Sequence, residues 1–151
     1  RRGDRLRLLV EDDGCGMKEE ILQRVTDPFY TTRTTRRVGL GLPFLRQAAE
    51  ACEGKLVLDS VPGRGTRLEA DFRWDHVDRP PLGDLPATLM TLLMGHPEIR
   101  WIYRHRVDDR EYVLDSRDLL EVLEDPELFR TPEVGLWIRD HAREGIEGLY
   151  R

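Results

Sequence analysis

The sequence predicts an α/β protein in two parts, a two-layer α/β sandwich over residues 1–75 and an α+β extension over residues 76–151. Three observations carry that expectation. Apolar residues alternate at 5–10, 55–61 and 66–74 with the period of two of half-buried strands. Stripes at 21–25 and 44–52 follow the helical period. The stiff stretch Arg79-Pro80-Pro81-Leu82-Gly83 separates two compositions.

Each element has a local reason. Arg5 to Val10 alternate as a strand that runs into the turn Glu11-Asp12-Asp13-Gly14-Cys15-Gly16. The acidic pair Glu19-Glu20 ahead of Ile21, Leu22 and Val25 then suits a short helix. Residues 27–41 lack apolar periodicity and read as a loop. Leu42 and Pro43 open a helix whose face carries Phe44, Leu45, Ala48, Ala49 and Cys52, with Gly54 expected as its left-handed cap. Pro62-Gly63-Arg64-Gly65 joins the next two strands into a hairpin, with Leu68, Ala70, Phe72 and Trp74 on one face.

In the second part, Leu85 to Met94 reads as an apolar helix ended by Gly95, and Asp108-Asp109 as the turn of a second hairpin. Ser116 is expected to cap a helix through Leu123. Thr131-Pro132 starts a last helix whose single buried face holds Val134, Trp137, Ile138, His141, Ala142, Gly145, Ile146 and Leu149.

Composition narrows the function. With 39% apolar and 35% charged residues, the chain can pack a core and is not a disordered segment. A net charge of −5 disfavours a uniformly basic nucleic-acid binder, so no nucleic-acid partner is expected. Residues 1–75 carry 14 basic and 13 acidic side chains, and residues 76–151 carry 10 and 16. No apolar run approaches the roughly 20 residues of a membrane helix, and no signal segment opens the chain, so a cytoplasmic location is expected. Cys15 and Cys52 form no CxxC pair, which argues against a disulfide framework or a zinc site.

Two short motifs carry chemistry. In Asp12-Asp13-Gly14-Cys15-Gly16-Met17, a carboxylate at a strand end can accept from an exocyclic amine, and glycines two apart let backbone approach a flat ring. Alone, this reads more readily as a tight acidic turn. Gly39-Leu40-Gly41-Leu42 stands directly before a helix, where free amides attract phosphate, with Arg33, Arg36 and Arg37 nearby. The chain has no G-x-x-x-x-G-K-[ST] loop, and Phe44 fills the third-glycine place of a dinucleotide fingerprint. His76-Val77-Asp78-Arg79-Pro80-Pro81-Leu82 has some likeness to a phosphoacceptor box, but tandem prolines make it poor helix and it reads as linker. His96, His105 and His141 read as structural.

In order, strand, Asp-Asp-Gly-Cys-Gly-Met, short helix, Asp27-Pro28-Phe29-Tyr30-Thr31-Thr32, basic loop, Gly-Leu-Gly-Leu, helix and Gly63-Arg64-Gly65-Thr66 hairpin resemble the ATP-binding domain of sensor histidine kinases. That domain shares a superfamily with gyrase, MutL and the anti-sigma-factor serine kinases. The resemblance covers residues 5–73 and implies the Bergerat-type ATP-binding fold. It also implies roles. Asp12 would accept the adenine amino group, with Thr66 assisting through a water. Gly14 and Gly16 would give the nucleotide clearance, and Met17 would line the base pocket. Thr32 would belong to the lid hinge, Arg33 would reach the phosphates, and Gly39, Leu40, Gly41 and Leu42 would close over them.

The family's upstream helix carries an asparagine that holds magnesium and an acidic residue that serves the chemistry. This chain has no asparagine, and Arg1 opens it. The expectation is therefore an N-terminally truncated domain with no catalytic and no metal-binding residue of its own. ATP is the expected ligand, with magnesium held by a residue upstream. The longer parent is expected to be a histidine or serine kinase or ATPase of two-component signalling, with an unidentified signalling partner and a homodimeric state. The fragment alone is expected to be inactive. The alternative is an ATP-gated interaction module without kinase activity.

Overall fold

A computed structural model describes residues 3–27, 40–123 and 125–151. The chain divides into two compact units, Arg1–Pro80 and Pro81–Arg151. The first contains strand β1 (Arg5–Asp12), helices α1 (Glu19–Leu22) and α2 (Gly41–Ala51), and strands β2 (Lys55–Val61) and β3 (Gly65–Arg73). The strands form an antiparallel sheet in the order β1-β3-β2. Alternation puts Leu6, Leu8 and Val10 of β1, Leu56 and Leu58 of β2, and Leu68, Ala70 and Phe72 of β3 on one face. Helix α2 packs on β2 and β3 at one end of that face, where Leu6, Ala49, Cys52, Ala70 and Phe72 form the buried core, while Leu8 and Val10 stay exposed. This is the predicted α/β layering, a helix on a sheet. The opposite face is charged, with Arg5 paired to Asp71 and Arg67 to both Glu11 and Glu69.

The end of α2 departs from the sequence expectation. Its left-handed residue is Glu53, at φ 55°, and not Gly54. Gly54 is needed for another reason: a Cβ there would lie 1.6 Å from the Asp71 carbonyl oxygen. The strained Glu53 is held from both sides. Its carbonyl accepts from the Arg5 guanidinium at 3.2 Å, and its carboxylate meets Arg73 at 3.3 Å. After β3 no helix forms before residue 85. Instead the Arg79 guanidinium folds back over the Trp74 ring at 4.5 Å and donates to the Trp74 carbonyl at 2.7 Å.

The second unit contains α3 (Leu85–Gly95), the hairpin β4 (Ile102–Val107) and β5 (Arg110–Asp115), α4 (Ser116–Leu123), a 3-10 turn (Pro126–Arg130) and α5 (Pro132–Gly148). Leu89, Leu93, Leu114, Leu119, Phe129, Ile138 and Ala142 make its core. Asp84 caps α3 by accepting from Ala87 N–H at 2.9 Å. Ser116 does not cap α4. It is buried, and its hydroxyl accepts Trp101 N–H at 2.9 Å, so Asp115 takes the Arg117 N–H instead, at 3.0 Å. On α5, Ile138, Ala142 and Leu149 are buried, but Trp137 is 44% exposed and stacks on His141. The eight-residue face expected there is therefore narrower, with these two rings at its margin. No described helix is long and apolar enough to cross a membrane.

Candidate functional site

At one end of the sheet the shared face turns from apolar to polar. Asp12 on β1 stands opposite Thr66 on β3, which stands opposite Ser60 on β2. Past them the two connections are stapled together. Gly63 N–H donates to the Cys15 carbonyl at 2.8 Å, and Met17 N–H donates to Ser60 Oγ at 2.8 Å. Ser60 Oγ lies 3.1 Å from the Gly65 carbonyl oxygen and 3.0 Å from Thr66 Oγ1. Backbone closeness explains two glycines. Gly16, at φ 63°, would put a Cβ 2.1 Å from the Val61 carbonyl oxygen, and Gly65, at φ 103°, would put one 1.9 Å from that of Asp12. At both, only glycine fits without moving backbone.

Asp12 itself is exposed. Its Oδ1 accepts Gly14 N–H at 2.9 Å, a tie across two residues that fixes the carboxylate at the turn. Its second oxygen has no partner among the described residues, so it remains an acceptor for an amino group. Among the described residues, an alanine Cβ at Gly14 would meet only the Asp12 side chain, its Oδ1 at 2.9 Å.

Helix α2 begins at Gly41 with Leu40 before it, and no side chain caps it. Phe44 N–H bonds the Leu40 carbonyl, and Pro43 has no N–H. The amides of Gly41 and Leu42 have no partner among the described residues. A Cβ at Gly41 would touch nothing within 4 Å. Thus nothing in the described protein requires glycine there, in contrast to Gly16 and Gly65. Thr32, Arg33 and Gly39, with Arg36, Arg37 and most of the expected lid, lie outside the described residues.

A shallow depression of about 250 Å³ lies at this end of the sheet, lined by Asp12, Ser60 and Thr66 of the shared face together with Glu11, Asp59 and Arg67, which alternate onto the charged face.

Residues 1–76 match the model of a family described as histidine kinase-, DNA gyrase B- and HSP90-like ATPases. The chain belongs to this family. Its first unit is an ATP-binding module of the kinase signalling type. Relatives agree on the class. The chain is 51% identical over 65 residues to sensor protein kinase FleS of Pseudomonas aeruginosa, covering 43% of this chain and 16% of that protein. It is 38% identical over 63 residues to sporulation kinase E of Bacillus subtilis, covering 42% and 8%. The signal transduction histidine-protein kinase AtoS of Escherichia coli is 36% identical over 56 residues, covering 37% and 9%. The match thus spans only a small part of each of these relatives.

Ser60 and Gly65 are contributors that the sequence reading did not place in the site. A usable signal was present: in the alternation Leu56, Leu58, Ser60, the serine is the only polar member of the core-facing row, and the short turn at 62–64 sets it opposite Thr66.

Proposed function

We propose that residues 1–75 form the ATP-reading half of a histidine-kinase-like signalling protein and support phosphoryl transfer to a histidine or serine in the longer parent. The observation that carries this reading is the pairing of Asp12 with Thr66 across β1 and β3, on the face under α2. ATP bound here supplies the transferable phosphoryl group. Asp12 Oδ2 would accept a proton of the adenine amino group, while Gly14 N–H holds Oδ1 in place. Met17 would border the base. The amides of Gly41 and Leu42, which have no partner among the described residues at the positive end of α2, would receive phosphate oxygens. Arg33, Thr32, Gly39 and Leu40 complete the phosphate end of the proposal.

Among the described residues no group of three His, Cys, Asp or Glu side chains is placed to hold a metal ion, and magnesium carried by ATP would need only one or two protein ligands beside the phosphates. Its ligand, the homodimer contact and the cytoplasmic phosphoacceptor belong to the parent in this proposal.

The test is calorimetric titration of ATP with magnesium into the chain and into its Asp12→Asn variant. An amide offers an N–H where the amino group needs an acceptor. The variant is expected to lose at least about tenfold in affinity, the cost of an unmade bond to a charged group. Unchanged affinity would remove the central assignment.

A further inference from the structure

Ser60 has no part in the ATP reading so far, yet it makes three hydrogen bonds at the site. Its Oγ accepts Met17 N–H at 2.8 Å and touches the Gly65 carbonyl oxygen at 3.1 Å and Thr66 Oγ1 at 3.0 Å. A proton count fixes the direction of each bond. A carbonyl oxygen brings no proton, so the single Ser60 hydroxyl proton must fill the contact with Gly65. The contact with Thr66 then takes the Thr66 proton. Thr66 is left with lone pairs only.

We infer that Ser60 is a positioning residue of the adenine end, acting through Thr66. It holds the Thr66 hydroxyl at one rotation and makes it solely an acceptor towards the base or a water bridging to it. This inference rests on the adenine-reading role proposed for Asp12 and Thr66. A bridging water that gives one proton to Thr66 keeps its second for a ring nitrogen acceptor. Adenine offers such a nitrogen beside an amino donor that suits Asp12, whereas guanine places a protonated ring nitrogen beside a carbonyl. Without the Ser60 hydroxyl, Thr66 turns freely, the water loses its fixed direction, and the preference for adenine narrows. Ser60 also anchors the N–H of Met17, the residue proposed to border the base.

The experiment measures affinities of ATP, adenosine and GTP for the chain and for Ser60→Ala, Ser60→Thr, Thr66→Val and the Ser60→Ala/Thr66→Val double variant. Ser60→Ala is expected to weaken ATP and adenosine alike by roughly three- to tenfold, the worth of one hydrogen bond, and GTP by less. Ser60→Thr restores the hydroxyl and the preference. In the Thr66→Val background, Ser60→Ala is expected to change the ATP to GTP ratio no further. Equal losses for all three ligands, or effects of Ser60 and Thr66 that simply add, would overturn the inference and leave the ATP reading standing. Failure of the unaltered chain to bind either ATP or adenosine would overturn that reading itself, and this inference with it.

Discussion

Replacing Gly41 by alanine separates folding from phosphate binding at a single methyl group. The added Cβ meets nothing among the described residues within 4 Å, and Gly41 is the first residue of α2 and is not left-handed. Alanine in a helix is favoured over glycine by about 0.5–1 kcal/mol, so the variant is expected to unfold at the same or a slightly higher temperature. On the ligand side the methyl occupies space where a phosphate oxygen would approach the Gly41 and Leu42 amides. A hydrogen bond to a charged group is worth about 1.5–3 kcal/mol, so losing one costs roughly tenfold or more in affinity. Adenosine, which lacks phosphates, should bind the variant as it binds the parent chain. Calorimetric titration with ATP and adenosine, beside a thermal melt, reads all three quantities. Equal losses for both ligands, or a drop in melting temperature, would refute the assignment of the α2 N-terminus to phosphate.

Three further substitutions probe the frame. Gly16→Ala forces a left-handed residue, at about 1–2 kcal/mol, and drives its Cβ to 2.1 Å from the Val61 carbonyl, so a loss of about 3 kcal/mol is expected in denaturant unfolding. A loss under about 1 kcal/mol would show that the turn yields easily. Gly145→Ala would place a Cβ 2.2 Å from the Tyr112 ring, and overpacking of about 1–3 kcal/mol should outweigh the helix gain, lowering the melting temperature. The third concerns pH. The Arg100 guanidinium, and then the Arg117 N–H, hold the Asp115 carboxyl down at about 2, below the usual value of about 3.9. The unfolded chain therefore binds this proton first as pH falls. The contribution is complete above about pH 4 and disappears between about pH 4 and pH 2. Stability of Asp115→Asn, followed by denaturant melts across that range, should fall less steeply than that of the parent chain.

Strands and helices were readable because alternation and helical stripes report burial directly. The expected row Leu68, Ala70, Phe72 and Trp74 holds for Ala70 and Phe72, which are buried in the core with Leu68 and Trp74 packed against it. What local sequence could not reveal was which group another segment brings near. Ser116 looks like a helix cap because serine at such a place usually is one. Packing buries it, and its hydroxyl serves the Trp101 amide from fifteen residues away, so its neighbour Asp115 supplies the cap. Trp137 and His141 fit a buried stripe by spacing, yet their width carries them past its edge, where they cover each other.

The glycines make the same distinction sharper, and they bear on function. Gly16, Gly54 and Gly65 are each explained by a carbonyl from a distant segment, those of Val61, Asp71 and Asp12. Sequence marks all of them alike as turn residues. Gly41 belongs to the same motif vocabulary but has no such neighbour among the described residues, whose packing gives no reason for it. A glycine that the described residues do not require, at a helix start with two amides that have no partner among them, suits the proposed approach of a phosphate. The proposed site has two ends of different character. The proposed base end around Asp12, Ser60 and Thr66 is held by internal hydrogen bonds, so substitutions there should alter both stability and binding. The proposed phosphate end at Gly41 is left open by the described residues, so substitutions there should alter binding alone.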